Sequence, residues 1–418
     1  MNSILPQVKH LGMAAIALTM LAVVLILAGI AIPAQAQTET LLHQFTGSPD
    51  GANPFAGPTL KGTTLYGTTM QGGSGPGSTG YGMVYSVSTT TGKETILHTF
   101  TGHQPDGDGA QPYGGVASYN GSFYGTTLTG GEHQYGTIYK IAKSGKQYVE
   151  TVLYSFSGGL DGAYPYYVTP VFDKLGNLYG TTAYGGQYGN GTVFKLAGGI
   201  ITTLHSFNSA GGDGYYPDAG VALDAKGNLY GAAPGGGAYG YGVLYEITAA
   251  GAYSVLYSFT GGADGMTPRS AIVFRNGSLY GTTQAGGAGC TWGCGVIFKF
   301  TPAKGKKAAK LTVLHTFAGV PDGMSPMYGK LVFDTLGNIY GTTQNGGAFD
   351  EGTNLGTVYK LAPDGTMTIL YNFDQQPDGM GPLGNVVRDT KGNLYTTGAY
   401  GGNGPGQYGG GTVIKITP

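Results

Sequence analysis

Beyond the first 36 residues the chain is a succession of short runs in which apolar and polar positions alternate, bounded by Gly, Asn or Asp. The runs recur in a fixed order of four. The third set shows them most clearly: Val168–Asp173, Asn177–Thr182, Gly191–Leu196 and Ile201–Phe207. All are rich in Val, Ile, Thr, Tyr and Phe, which is the pattern of β-strands rather than helices. No stretch beyond the leader carries a 3.6-residue apolar period, so helices are expected to be nearly absent. The four strands of a unit are called a, b, c and d.

Strand b carries the most regular element, LYGTT or a close variant, at Leu65, Phe123, Leu178, Leu229, Leu279, Ile339 and Leu394. Its tyrosines, Tyr66, Tyr124, Tyr179, Tyr230, Tyr280, Tyr340 and Tyr395, lie 50 to 60 residues apart. A period in this range belongs to propellers and related repeat folds. Seven units of four antiparallel strands predict an all-β, seven-bladed β-propeller over residues 37–418. The ends agree with closure. The chain after the leader opens with a lone d-type strand, Thr40–Phe45, and stops after a c-type strand, Gly411–Ile416. Pairing the two closes the last blade with the N-terminal strand and removes two open sheet edges. The Gly in strand b recurs at Gly67, Gly125, Gly180, Gly231, Gly281 and Gly341 and gives way to Thr396 in the seventh unit. Close approach of the neighbouring blade is the expected reason, with adjusted packing in blade 7.

The first 36 residues read as a signal peptide. Lys9 and His10 precede an apolar run from Leu11 to Ile32, and Ala34-Gln35-Ala36 has the form of a cleavage site. The expected product is secreted or periplasmic and free of the membrane after cleavage. An uncleaved N-terminal anchor is the alternative, because the 22-residue run is long enough to span a bilayer. Composition narrows the class further. There are 81 Gly and 32 Tyr, only 10% charged residues, and a formal net charge of −1. Apolar residues reach 41%, enough for a packed core, and the near-neutral balance argues against nucleic acid as a partner. A monomer is the expectation.

The units resemble the GloVer tandem-repeat family of secreted bacterial proteins, whose consensus runs DG-x-x-P, GNLYGTT, GG, GTVFKL, LHSF. The resemblance covers the chain from about Thr40 to its end. It implies an extracytoplasmic repeat protein, often surface-anchored, without an established activity. Anchored members carry a C-terminal sorting tail, whereas this sequence ends at Pro418 directly after strand c, so surface attachment is not the expectation.

Antiparallel parity places the a–b and c–d turns on one face and the b–c and d–a connections on the other. The second face therefore gathers the long Gly-rich loops and seven Asp-Gly-x-x-Pro turns, Asp50, Asp108, Asp161, Asp213, Asp264, Asp322 and Asp378 to the prolines that follow. Long loops on a rigid scaffold are where function concentrates. The seven carboxylates have two readings: an acidic ring for Ca²⁺ or a polyhydroxylated ligand, or acceptors for the N–H groups of their own turns, which is favoured. Aromatic residues of the b–c loops, Tyr81, Tyr135, Tyr184, Tyr188, Tyr239, Tyr241, Trp292, Phe349, Tyr400 and Tyr408, either stack on sugar rings or cover the loops. Trp292 is the single Trp, and it lies between Cys290 and Cys294, which are expected to form a disulfide in an oxidising compartment.

Positions where the repeats differ carry more information. The residue after each turn Pro is Phe55, Tyr113, Tyr166, Asp218, Arg269, Met327 or Leu383, and should ring the channel mouth. Asp218 and Arg269 either grip a ligand or pair with each other. Arg388 interrupts an apolar pattern in strand a and is expected to face the channel. His43, His98, His205 and His315 share the d-strand slot that holds Tyr154, Tyr257 and Tyr371 elsewhere, which suits a packed hydrogen-bonded ring and not a metal site. His103 and His133 stand outside that pattern. No nucleophile elbow, paired-carboxylate motif or His-x-x-x-His occurs, although Glu132, Asp350 and Glu351 leave a lyase or hydrolase open. The expectation is a non-enzymatic binder of a glycan or cell-envelope component, without a metal or other cofactor unless Ca²⁺ binds. Its ligand-binding candidates are Trp292, Asp218, Arg269, Tyr113, Tyr166 and His133. A carbohydrate-active enzyme and a structural or adhesive surface protein are the alternatives.

Overall fold

A computed structural model describes residues 38–73, 80–102, 107–348, 355–374, 377–402 and 409–417. The leader, His103, Phe349, Asp350, Glu351 and Tyr408 fall outside the described residues. Among the described residues there is no helix, and seven four-stranded antiparallel sheets form the blades. Blade 1 consists of Thr59–Lys61, Thr64–Thr69, Met83–Ser88 and Glu94–Thr99, and blade 3 of Val171–Phe172, Leu178–Thr182, Thr192–Ala197 and Ile200–Ser206. Blade 7 takes Val387–Arg388, Leu394–Gly398 and Thr412–Thr417 from the end of the chain and Thr38–Gln44 from its beginning. Thr38 pairs with Thr417 and Gln44 with Thr412, so the N-terminal strand closes the ring as the sequence predicts. No helix of the described residues is long and apolar enough to cross a membrane.

Each letter of LYGTT has its own structural task. The Leu side chains enter cores shared between adjacent blades, where Val193 and Phe207 of blade 3 meet Leu229 and Tyr245 of blade 4. The Tyr points to the a–b turn: Tyr179 Oη and Asn177 Nδ2 both donate to Asp173, which also accepts the N–H groups of Leu175 and Asn177. The same set forms around Asp224, Asp334 and Asp389. The first Thr bonds the next blade: Thr126 donates to the Val168 carbonyl, Thr181 to Ala219 and Thr342 to Gly384. The second Thr holds the start of the b–c loop, as when Thr182 Oγ1 donates to the Tyr184 carbonyl.

The strand-b glycine has a different cause from the one its sequence context suggests. A Cβ on Gly67 would lie 2.5 Å from Tyr85 Oη and 2.6 Å from its Cζ. Tyr85 is the residue directly opposite on strand c of the same blade, not part of the neighbouring blade. Gly180 faces Phe194, Gly231 faces Tyr245, Gly281 faces Phe298 and Gly341 faces Tyr359 in the same way. In blade 7, where Thr396 replaces the Gly, the partner is Ile414, and both are fully buried. Each large ring lies across its glycine, and the one pair without a glycine has no ring.

Strand a is shorter than its apolar pattern implies: two ladder residues in blade 3 instead of the Val168–Asp173 expected. Nearer the axis it is bonded to blade 2: Thr126 Oγ1 donates to the Val168 carbonyl and the Gly115 N–H donates to Thr169 Oγ1. Strand d carries an irregularity that the sequence does not announce. In every blade its pairing with strand c skips one residue, and that residue is always Leu: Leu42, Leu97, Leu153, Leu204, Leu256, Leu314 and Leu370. A bulge re-aims the residue beyond it. Here that residue is the His or Tyr of the d-strand slot, which turns onto the Asp of the following Asp-Gly turn.

Candidate functional site

The seven turn carboxylates are structural acceptors. Asp50 takes the Thr46 N–H at 2.7 Å and lies 3.1 Å from His43 Nε2. Asp161 takes Tyr154 Oη at 2.9 Å and Asp264 takes Tyr257 Oη at 2.9 Å. His205 and His315 each approach their own turn Asp to 3.0 Å. Because the bulged strand d is the outermost of each blade, these carboxylates lie away from the axis. Three of the seams add a glutamate from the next blade: Glu39, Glu94 and Glu150. Glu94 comes within 4.0 Å of His43, and burial with the neighbouring Asp50 pushes its carboxyl up to about 8. Against burial, hydrogen bonds from His43, Glu94 and the Thr46 N–H hold Asp50 down to about 2. Polar atoms of His43, Asp50 and Glu94 all lie within 4.8 Å of one another, close enough to consider a cation. The His43–Asp50 contact is nevertheless the one that every seam makes, with Tyr substituting for His in three, so the trio is read as part of the repeat.

The x before each turn Pro has a left-handed backbone, φ 60° at Asn53, 56° at Gln111, 56° at Tyr164, 57° at Tyr216, 57° at Thr267 and 56° at Ser325. This geometry aims its N–H at the previous blade's b–c loop, as in Tyr164 N–H to the Tyr135 carbonyl at 2.9 Å. The residue after the Pro is thereby directed to the axis, and a bowl of about 550 Å³ forms at the channel mouth. Phe55, Tyr113, Tyr166, Arg269, Met327 and Leu383 line it, together with Tyr400, Gln284 and Gln344.

The bowl has two unlike sides. Blades 7, 1, 2 and 3 supply a continuous aromatic arc, with ring centroids 5.5 Å apart for Tyr400–Phe55, 5.2 Å for Phe55–Tyr113 and 4.7 Å for Tyr113–Tyr166. Blades 5 and 6 supply Arg269, Gln284 and Gln344. The floor is Tyr167 of blade 3 stacked on Tyr328 of blade 6, at 3.6 Å and 9°. Both floor tyrosines have positive φ, 47° and 59°, a strained conformation outside glycine. Burial raises the Tyr113, Tyr166 and Tyr328 hydroxyl pKa values, so these groups stay protonated as donors.

Asp218 and Arg269 form an ion pair, and Arg269 also donates to Tyr328 Oη at 3.0 Å. Asp218 is only 4% exposed, and burial pushes its carboxyl up to about 7 despite the opposing charge of Arg269. It supports Arg269 from beneath and does not face the bowl. Its Oδ1 and Arg269 Nε have no hydrogen-bond partner among the described residues.

Of the sequence candidates, Tyr113, Tyr166 and Arg269 come together in the bowl. Trp292 and His133 do not line it. Trp292 is 78% exposed on its loop, which the Cys290–Cys294 disulfide closes with the two Cα atoms 5.4 Å apart, and His133 is exposed. Arg388 reaches the channel's lower part and lies 5.9 Å from the Tyr340 ring. Sequence reading missed Gln284, Gln344 and the floor pair. The available signal was size: Tyr167 and Tyr328 occupy a slot that holds Ala56, Gly114, Ala219, Ser270 or Gly384 elsewhere.

A second aromatic band lies outside the bowl on the same face. Tyr135, Tyr164, Tyr184 and Tyr216 follow one another across blades 2 to 4 at 5.5, 5.9 and 5.0 Å. Three of its four rings, Tyr135, Tyr184 and Tyr216, are among the exposed large side chains.

No curated protein matches the chain. Among solved structures it is similar to a fungal alcohol oxidase of the AA5 family in complex with copper, at 15% identity and TM-score 0.57 over 91% of this chain and 76% of that one. It is also similar to PorZ, a surface component of the type-IX secretion system of Porphyromonas gingivalis, at 15% identity and TM-score 0.51. That match covers 89% of this chain but only 47% of PorZ. At such identities these likenesses establish the propeller fold alone. The sequence profile of the Gloeobacter/Verrucomicrobia repeat matches residues 74–292 and 275–418, and the chain belongs to that repeat family.

Proposed function

We propose that this propeller is an extracytoplasmic, non-catalytic recognition module that binds a glycan or glycan-bearing envelope component in the axial bowl. One observation carries the reading: an aromatic arc and a separate Arg–Gln arc face each other across a closed-floored bowl of ligand size. Aromatic faces suit the apolar faces of sugar rings, while amides, a guanidinium and protonated phenols suit hydroxyl groups. The exposed Tyr135–Tyr216 band extends the platform for a longer chain. Asp218 is held in its ion pair outside the bowl's lining, which favours binding over acid–base chemistry there.

A glycan array probed with the purified protein tests this, followed by calorimetry on any hit. Tyr113→Ala and Arg269→Gln are each expected to weaken binding about tenfold, equivalent to about 1.4 kcal/mol, with the fold intact. Product formation from a hit would move the reading to a carbohydrate-active enzyme. Binding unaffected by either substitution would sink the bowl as the site.

A further inference from the structure

Below the Tyr167–Tyr328 pair the axis widens into a second cavity of about 540 Å³. Small and apolar residues make up most of its wall, including Pro58, Val116, Gly220 and Ile272. Two charged side chains line it, Lys330 of blade 6 and Arg388 of blade 7, and both are basic. Among the described residues no carboxylate lines this cavity. Lys330 also borders an adjoining space of about 370 Å³ towards the a–b turns, where Asp173 and Asp224 are the acidic neighbours. Both are already committed to the Asn and Tyr side chains and N–H groups of their own turns.

Among the described residues Lys330 has no hydrogen bond or ion pair. The channel wall surrounds it, which lowers its pKa by desolvation, while its side chain stays open to solvent along the axis. An ammonium with no counter-charge in its cavity can form charge-assisted hydrogen bonds with a bound anion. Thr169, whose Oγ1 accepts the Gly115 N–H at 3.1 Å, lines the same cavity from blade 3. Arg388, at the a–b end, draws anions towards the entrance.

We propose that the axial channel is an anion site in which Lys330 binds an oxyanion (sulfate, phosphate or a small carboxylate) entering from the a–b face. The Tyr167–Tyr328 stack is its ceiling, so this site is separate from the bowl and does not depend on what the bowl binds. Charge complementarity and the closed ceiling select a small ion over a polymer.

The test uses thermal unfolding of the purified protein as sodium sulfate, sodium phosphate or sodium acetate replaces sodium chloride at constant ionic strength. A non-specific salt effect rises linearly and is shared by all variants. The expected result is a saturable rise in Tm with at least one of the three anions. Its half-saturation should move at least tenfold upward in Lys330→Met and stay unchanged in Lys146→Met, which alters an exposed lysine in the c–d turn of blade 2. The same response in Lys330→Met as in wild type, or no saturable component at all, would overturn the proposal. Wild-type protein supplies an independent readout. Acylation of Lys330 near pH 8, followed by mass spectrometry, should slow at least severalfold in the stabilising anion but not in chloride, and equal rates would refute the site.

Discussion

Replacing Gly67 by Thr, the residue that blade 7 uses at the same place, tests the proposed cause of the repeated glycine. The backbone at Gly67 is an ordinary strand, so the difficulty is space and not φ. The new Cβ would sit 2.5 Å from Tyr85 Oη and 2.6 Å from Cζ, far inside contact distance, and Tyr85 is fully buried with no room to retreat. Overpacking of this kind costs about 1–3 kcal/mol, and two further heavy atoms on the Cβ put Gly67→Thr at the upper end. Tyr85→Ile alone removes a buried ring and leaves a cavity over Gly67, for about 2–4 kcal/mol. Together the two changes rebuild the Thr396–Ile414 pair, and the double variant should be less destabilised than the sum by about 1–3 kcal/mol. Urea unfolding followed by tyrosine fluorescence and circular dichroism measures all three. Strict additivity would refute the account of the Gly–aromatic pair.

Other consequences can be checked by the same means. Thr282→Val removes the 2.8 Å bond from Oγ1 to the Pro326 carbonyl of the next blade and should cost about 1–3 kcal/mol, since that carbonyl is left buried. Reduction of Cys290–Cys294, or replacement of both by Ser, should lower stability by about 2 kcal/mol at most, because the loop is short, and should leave the circular dichroism spectrum unchanged. Burial pushes Glu94 and Glu150 up to about 8, aided by the charges of Asp50 and Asp108 respectively. A raised folded pKa gives stability that is full below the unfolded value, about 4.3, and declines until pH passes about 8. The urea midpoint should therefore fall between pH 5 and 8, and Glu94→Gln with Glu150→Gln should flatten that slope. Asp50 works in the opposite sense, supporting the fold above the ordinary Asp range and losing that support as pH drops towards 2.

Periodicity made the architecture readable in advance. Seven copies of LYGTT, tight a–b turns and a spare d strand at the start leave few arrangements besides a closed ring, and strand parity sorts the loops onto faces. Pairing between strands is not written in any single repeat, which is why the sequence alone points to a neighbouring blade as the cause of the glycine. The internal exchange of Gly–aromatic for Thr396–Ile414 does carry that information once register is known. The bowl was half legible. A fixed offset from the turn Pro found Tyr113, Tyr166 and Arg269, because the turn geometry is the same in each blade. Trp292 and His133 attracted notice through rarity, but rarity does not say where a long loop sends its side chains. Tyr167 and Tyr328 were invisible as a pair because they lie in opposite parts of the ring and meet only across the axis.

The most direct test of the bowl as a glycan site is a crystal structure of the protein with an oligosaccharide that binds it on the array. The account predicts a sugar ring against the Phe55–Tyr113–Tyr166 arc, with hydroxyl groups bonded to Arg269, Gln284 or Gln344 and the Tyr167–Tyr328 floor intact. A sugar seated on the a–b face, or on the Trp292 loop with the bowl empty, would contradict it.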